Sequence, residues 1–316
     1  MPELPELTAL AAYLDARLAG ATVASVGFPI RFALKTKDPD PGTLVGHTVR
    51  RVYRRGKFLV FQTSAATDAA AYADDGGALS IVVNFAKDGW LHLQGTLPEV
   101  QEQEEPTPGN KAATGPISAR FVFSGRDTNS GDHDVELMDH GRWKGLAVYI
   151  VHDPEEVSGV AELGPDALDP EFTLEEFTRL FTSRQRIKDI IRDQKRIAGI
   201  GNGFSDEILH AAKLSPLAPG ASLDAEAVGR LYAAMRGVLG DATEALDGLA
   251  PDRLKAAKKE SMAVHRRTGE SCPVCGTTVQ ELAYVGTAFQ YCPGCQTGGE
   301  ILKRPAGRGA GEEPED

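Results

Sequence analysis

The chain has 316 residues, 41% hydrophobic and 25% charged, the make-up of an ordinary soluble globular protein of about two domains. No run of roughly 18 apolar residues offers a membrane span, and the opening MPELPELTALAAYL lacks the basic-then-apolar order of a signal peptide. A cytoplasmic location is therefore predicted, nucleoid-associated if the source is bacterial. The net charge of −11 argues against nucleic-acid partners when taken as an average, but an average hides distribution.

Leu4, Leu7, Leu10, Leu14 and Leu18 recur at helical spacing with Gly20 behind them, which predicts an amphipathic helix at the start. Short β-type runs follow at 22–28, 48–54, 57–63, 79–85, 120–124, 135–138 and 146–151, separated by Gly, Asp and Pro, and predict an antiparallel sandwich or barrel. Residues 65–77 and 98–116 interrupt them as loop insertions. The character changes after Asp153. Residues 153–171 carry Pro154, Gly159, Gly164, Pro165 and Pro170 and read as a linker. Thr173 and Glu176 form a capping box before a helix. A second helix is predicted near 186–192, a tight turn at Gly199, Gly201 and Gly203, and a further helix from Ser205 to Lys213. A long helix keeps Val228, Leu231, Tyr232, Met235, Leu239 and Leu246 on one face.

Charge is unevenly spread. Residues 45–60 hold Arg50, Arg51, Arg54, Arg55 and Lys57 with no acid, and residues 183–196 and 252–267 are also strongly basic. Each stretch alone reads equally well as a solvated face. Gathered at one groove they would bind phosphates. The acids concentrate at 99–105 and 312–316, read as a solvated loop and a disordered tail.

All four cysteines lie in one pattern, Cys272-x2-Cys275, sixteen residues, then Cys292-x2-Cys295. Four thiolates so spaced satisfy one tetrahedral Zn²⁺ with no open position, so the metal is predicted to be structural. Two disulfides or a redox motif fit a cytosolic chain less well.

Pro2 follows the initiator Met, whose removal leaves a secondary amine. Such an amine can attack an aldehyde to give an iminium ion, an electron sink that eases elimination at the next carbon. Glu3 and Glu6 stand beside it as candidate acid and base. From these residues alone, a plain helix start explains Met-Pro-Glu at least as well.

Four features occur in order and at fitting distances: Met1-Pro-Glu-Leu-Pro-Glu, Gly56-Lys57-Phe58-Leu59, Asp193-Gln-Lys with Gly199-Ile-Gly-Asn-Gly-Phe-Ser-Asp-Glu207, and the four-cysteine unit. Together they resemble the formamidopyrimidine-DNA glycosylase/endonuclease VIII family of DNA-repair enzymes, on its formamidopyrimidine branch. The likeness runs from Pro2 to Cys295. It implies an α+β multidomain chain: an N-terminal helix plus antiparallel β-sandwich (1–152), a linker (153–171), a helix–two-turn–helix DNA-binding domain (172–266), a β-hairpin zinc finger (267–299) and a disordered acidic tail (300–316). It implies a monomer that binds double-stranded DNA in the cleft between its halves, with one structural zinc on Cys272, Cys275, Cys292 and Cys295.

Carried over by motif, Pro2 is the nucleophile on C1′, Glu3 the acid for sugar-ring opening, Glu6 its support, and Lys57 and Asn202 phosphate contacts. Gly201, Lys195 and Arg142 join the predicted DNA-binding set. The implied activity is a bifunctional glycosylase and abasic-site lyase that excises damaged, oxidised bases by β,δ-elimination. The chain departs from the family at Thr8, Lys87, the 141–145 segment with Arg142 and Trp143, and Thr287, where the finger's arginine is expected. These positions concern recognition more than elimination. They leave open a protein of the same fold that binds damaged DNA with little or no turnover.

Overall fold

The computed structural model describes residues 1–65, 77–94, 117–125, 133–142, 144–284 and 287–303. Most of the two predicted insertions, Trp143, the side chain of Thr287 and the tail from 304 onward lie outside the described residues. The chain divides into two compact units, each assembled from separate segments. The first comprises Met1–Phe172, Asp193–Gly201 and Leu239–Ser261, and the second Thr173–Arg192, Asn202–Val238 and the chain from Met262.

In the first unit α1 runs Leu4–Leu18. Pro5 sits in its first turn, where the missing N–H costs nothing, and Glu6 and Arg17 match the two ends of the helix dipole. The five leucines are fully buried, as their spacing predicts. Gly20, at φ +87°, turns the chain away. Asp15 Oδ1 accepts from the Val52 amide at 2.6 Å and fastens the helix to the sheet.

The strands are β1 (Thr22–Gly27), β2 (Thr48–Arg55), β3 (Phe58–Ser64), β4 (Leu79–Asn84), β5 (Gly89–Gln94), β6 (Ile117–Ser124), β7 (His133–Asp139) and β8 (Ala147–Val151). They form one antiparallel sheet in the order β5-β7-β6-β1-β2-β3-β4-β8. β1 and β2 pair at Thr22–Thr48, whereas β3 and β4 run together over six residues. At this narrow seam the sheet folds into two four-stranded layers, which settles sandwich over barrel. Phe61 of β3 stacks on Phe123 of β6 across the layers at 6.2 Å, a contact worth about 1 kcal/mol beyond its burial.

β3 and β4 are nearly continuous apolar runs because both faces are covered. Leu59 and Phe61 join the main core, while Phe58 and Val60 pack with Val157 and Val160 outside it. Val160 lies on the short helix α2 (Ser158–Ala161), inside the predicted linker. β5 was not predicted; it follows β4 after only four residues.

In the second unit α3 is Leu174–Thr178, opened by the predicted Thr173–Glu176 capping box. Next come α4 (Ile187–Arg192), α5 (Asn202–Ala211) and the long α6 (Ala225–Leu246), whose last residues belong to the first unit. Phe177 packs on Phe181 and Tyr232 at 4.9 and 5.4 Å. α7 (Pro251–Ser261) returns to the first unit, burying Pro251 and Leu254. The sequence showed that stretch only as a run of charge. The second unit closes with the hairpin β9 (Gln280–Tyr284) and β10 (Thr287–Tyr291) and the single-turn α8 (Pro293–Gln296). The chain is thus α+β: an N-terminal helix with an antiparallel sandwich, a helical portion, and a C-terminal hairpin beside the cysteines.

Candidate active site

The site in the first unit begins at the N-terminus of α1. Pro2, Glu3 and Glu6 are all buried there. Glu3 is the N-cap residue, yet its side chain does not cap the helix. Its Oε2 instead accepts the Gly201 amide at 2.6 Å. A side chain on residue 201 would collide with Glu3, since a Cβ there lies 2.5 Å from Glu3 Cδ. Gly199, at φ +104°, has Leu4 atoms within 2.9 Å of its Cβ direction, and its carbonyl accepts the Leu4 amide at 3.0 Å. The two glycines therefore let the 193–201 loop close on α1. Gln194 braces that loop, its Oε1 accepting from Gly199 N at 3.0 Å and its Nε2 donating to Ile200 O at 2.7 Å.

A third charged group completes the cluster. Lys258 of α7 places Nζ 2.6 Å from Glu6 Oε1 and 3.2 Å from Glu3 Oε1. Burial pushes the Glu6 carboxyl up, and the neighbouring Glu3 adds to this, although Lys258 pulls the other way. Burial pulls Lys258 down, but Glu3 and Glu6 together outweigh it and raise it, so the amine is held as an ammonium. Glu6 Oε2 is buried with no hydrogen-bond partner among the described residues.

Lys57 sits in the β2–β3 turn, which Gly56 makes possible at φ +53°. Its Nζ reaches Ile200 O at 3.4 Å, one residue from the Glu3–Gly201 bond. Thr8, one turn along α1 from Leu4, donates to Leu4 O at 2.8 Å and accepts from Arg54 Nε at 3.0 Å. The structure thus brings Pro2, Glu3, Glu6, Lys57 and Gly201 together within one unit.

The other predicted positions have surroundings of their own. Lys195 is exposed and pairs with Glu162 at 2.8 Å. Arg142 is exposed on the loop after β7. The Asp139 carboxylate organises that loop by accepting the amides of Gly141, Gly145 and Leu146 at 2.7–2.9 Å. Those amides outweigh the effect of burial and hold Asp139 below the usual carboxylate range. Asn202 opens α5 in the second unit, where its Nδ2 donates to Ala288 O of β10 at 3.1 Å. Lys87 offers its carbonyl to the Met1 amine at 2.7 Å.

The basic stretches are less open to phosphate than their composition suggests. Arg54 pairs with Asp166 and Arg55 with Glu155, each at 2.6 Å. Lys188 is fully buried in an ion pair with Asp206, which also meets His265 Nδ1 at 2.8 Å. Lys258 turns inward. Charge counting could not foresee this, because the acids that neutralise these cations lie up to 255 residues away.

In the second unit Cys272 and Cys295 lie 3.9 Å apart through their sulfurs, and Cys275 and Cys292 3.3 Å apart. His210 of α5 places Nε2 3.3 Å from Cys272 Sγ. The ligating atoms of His210, Cys272, Cys292 and Cys295 all fall within 4.8 Å of one another. Gly294 lies so close to Cys275 Sγ and Thr277 Oγ1 that a Cβ would sit 3.0 and 2.5 Å from them, which keeps the second knuckle tight. Hydrogen bonds from Thr277 hold the Cys275 thiol at about 6. A soft, converging donor set of this kind suits a zinc ion. His210 had no sequence signal, since it stands 62 residues before Cys272.

The chain was compared with known proteins. Residues 1–133 match the family model of the formamidopyrimidine-DNA glycosylase N-terminal domain, and residues 163–250 match that of the same enzymes' H2TH domain. The formamidopyrimidine-DNA glycosylase of Thermus thermophilus is 31% identical over 307 residues, covering 94% of this chain and 98% of the relative. An uncharacterized formamidopyrimidine-DNA glycosylase-like protein of Mycobacterium tuberculosis is 48% identical over 141 residues, 44% of this chain and 88% of that one. The crystal structure of the Thermus thermophilus MutM (Fpg) protein superimposes with a TM-score of 0.70 at 27% identity, covering 93% of this chain and 98% of that one. That of the Lactococcus lactis enzyme bound to DNA with an abasic site gives 0.71 at 20% identity, covering 93% and 99%.

Proposed function

The chain belongs to the formamidopyrimidine-DNA glycosylase family, and on that premise we propose that it excises damaged bases and nicks the resulting abasic site through the amine of Pro2. The observation that carries this reading is the start of α1. A buried proline at position 2 is flanked by a carboxylate fixed on Gly201 N–H at 2.6 Å and by a second buried carboxyl. A mere helix start needs neither buried acid, and burying acids is costly.

With Met1 removed, the Pro2 nitrogen forms a bond to C1′ of the damaged nucleotide. The glycosidic bond breaks, and the base leaves with its electron pair and takes a proton. Glu3 supplies the proton to the ring oxygen as the sugar opens, and the C1′ centre becomes an iminium ion. Loss of a C2′ proton then expels the 3′-phosphate, a second elimination expels the 5′-phosphate, and water returns the amine. Glu6 supports the acid. Lys57 and Asn202 contact phosphates beside the lesion, with Gly201, Lys195 and Arg142 as further DNA contacts. One zinc ion, held by Cys272, Cys275, Cys292 and Cys295, fixes the C-terminal hairpin and takes no part in the chemistry.

The substrate is double-stranded DNA carrying oxidised bases or abasic sites. Lactococcus lactis relatives of this fold have been solved on DNA with an abasic site and with an oxidised pyrimidine. Among the described residues no helix is long and apolar enough to cross a membrane, and the cytoplasm, at the nucleoid, is the proposed location.

The test is borohydride trapping on a duplex with one abasic site. The wild-type protein should give a covalent band, and its intact mass should show Met1 removed. A form carrying one extra residue before Pro2, whose nitrogen is then an amide, should give none while still binding DNA. Absence of a band from the processed wild type, with binding intact, would make the chain a damage-recognition protein.

A further inference from the structure

Glu3 and Glu6 share one ammonium, and its donor comes from α7, a helix that the sequence offered only as part of a charged stretch. Lys258 Nζ lies 2.6 Å from Glu6 Oε1 and 3.2 Å from Glu3 Oε1, with its side chain 14% exposed and both carboxylates under 5%. The remaining oxygen of Glu3 is taken by Gly201 N–H. The remaining oxygen of Glu6 has no partner among the described residues. Of four carboxyl oxygens, three are therefore committed to fixed donors and one is open.

The other charged groups on the neighbouring elements are engaged elsewhere. Arg54 on β2 meets Asp166 and Thr8, Lys57 meets Ile200 O, and Lys255 on α7 lies over the Trp90 ring at 4.7 Å. The Met1 amine donates to Lys87 O, and once Met1 is removed the amine of Pro2, next to Glu3, is the amino terminus; Lys259 and Glu260 are exposed. The charges acting on Glu6 are those of Lys258 and Glu3.

We propose that Lys258 is a positioning residue for the reaction at Pro2: its ammonium bridges Glu3 and Glu6, fixes both at the start of α1, and leaves Glu6 Oε2 as the oxygen through which the pair takes up or gives up a proton. This rests on the reading of Pro2 as the nucleophile. Two carboxyls beside one cation form a coupled set whose protons belong to the pair. The proton that Glu3 gives to the sugar ring is restored from Glu6, and Lys258 keeps the pair from holding two. Burial, which raises the Glu6 carboxyl, favours a proton on that side of the pair.

The experiment uses Lys258→Met, of similar length without charge, and Lys258→Arg, which keeps the charge. The carboxyl carbon of Glu6 is titrated by NMR in the DNA-free protein, and single-turnover trapping on an abasic duplex is followed against pH. An opposite charge this close lowers a carboxyl by about 1 to 3 units. Its loss in Lys258→Met should therefore raise the Glu6 midpoint by at least about one unit, while Lys258→Arg stays near wild type. The step that needs the protonated acid should then persist to higher pH by the same amount, with substrate affinity unchanged.

A folded Lys258→Met protein whose Glu6 midpoint stays put overturns the proposal. So does a midpoint that moves while the pH–rate profile does not. If Lys258→Met fails to fold, Lys258→Gln takes its place under the same criteria. A wild type that never traps overturns the role of Pro2, and with it the catalytic claim made for Lys258. The titration still reports the bridge, so the two failures are told apart.

Discussion

Gly201→Ala tests whether Glu3 must be held where the structure holds it. The added methyl would lie 2.5 Å from Glu3 Cδ and 2.8 Å from both Cγ and Oε2. Its three nearest atoms all belong to the outer part of the Glu3 side chain. The structure can therefore relieve the clash by swinging the Glu3 carboxylate away. That movement breaks the 2.6 Å bond from Gly201 N–H and disturbs the 3.2 Å contact with Lys258.

A hydrogen bond to a charged group is worth about 1.5–3 kcal/mol. If Glu3 needs that bond to reach the sugar oxygen, its loss slows the step by roughly ten- to a hundredfold. The same lost bond also lowers stability, by up to about 3 kcal/mol, so the rate is compared where the variant is fully folded. Single-turnover trapping on an abasic duplex gives the rate, and thermal unfolding gives the stability. Gly199→Ala is the control that strains the backbone of the same loop. It forces a side chain onto φ +104° and into Leu4, so it should lower stability first. A Gly201→Ala protein that reacts at the wild-type rate would show that Glu3 need not be held where the structure holds it, and the acid role would fall.

Asp139→Asn should loosen the loop that carries Arg142, since one amide oxygen must replace a carboxylate that accepts three backbone N–H groups. A loss of about 2–3 kcal/mol is expected, measurable by denaturant unfolding. The pH dependence follows from the depressed carboxyl. The stabilisation is complete above the ordinary Asp value of 3.8 and is lost as pH falls through the lower folded value. Asn at 139 should flatten stability across that acid window, and an unchanged acid limb would refute the assignment. Removing zinc with a chelator should unfold the C-terminal hairpin and weaken DNA binding, with four thiols becoming titratable. Affinity that survives chelation would mean the hairpin is not a DNA element in this protein.

Much of the fold could be read from residue order. Leucine spacing placed α1, and short β-type runs bounded by Gly, Asp and Pro placed seven of the strands to within a few residues. The capping box at Thr173 located α3 by a purely local hydrogen bond. β5 and α7 escaped, the first because it follows β4 after a short turn and the second because its apolar contribution is Pro251 and Leu254 amid six charged residues.

The site was legible to the same limit. Pro2, Glu3 and Glu6 stand together in the sequence, and Lys57 and Gly201 sit in turns marked by glycine. Lys258 beside the two acids and His210 beside Cys272 could not be found in this way, since each meets partners brought from distant segments. Lys188 was counted as available cation, and only the structure places Asp206 against it.

The scattered make-up of the first unit has a consequence for how the protein is made. Glu3 and Glu6 are among the first residues to leave the ribosome, whereas Gly201 arrives after some 200 residues and Lys258 later still. Until then two acids at the head of α1 must stay in water or be buried without their donors, which is unfavourable. The nascent sandwich should therefore hold its first helix loosely and close over it only when α7 emerges. A polypeptide cut short at the end of β8 would keep its strands and lack the donors that fix its acids, and it should bind water or stray cations where the full chain places Lys258. In this design the last part of the first unit to be synthesised completes what the first part began, so an unfinished chain cannot carry a finished site.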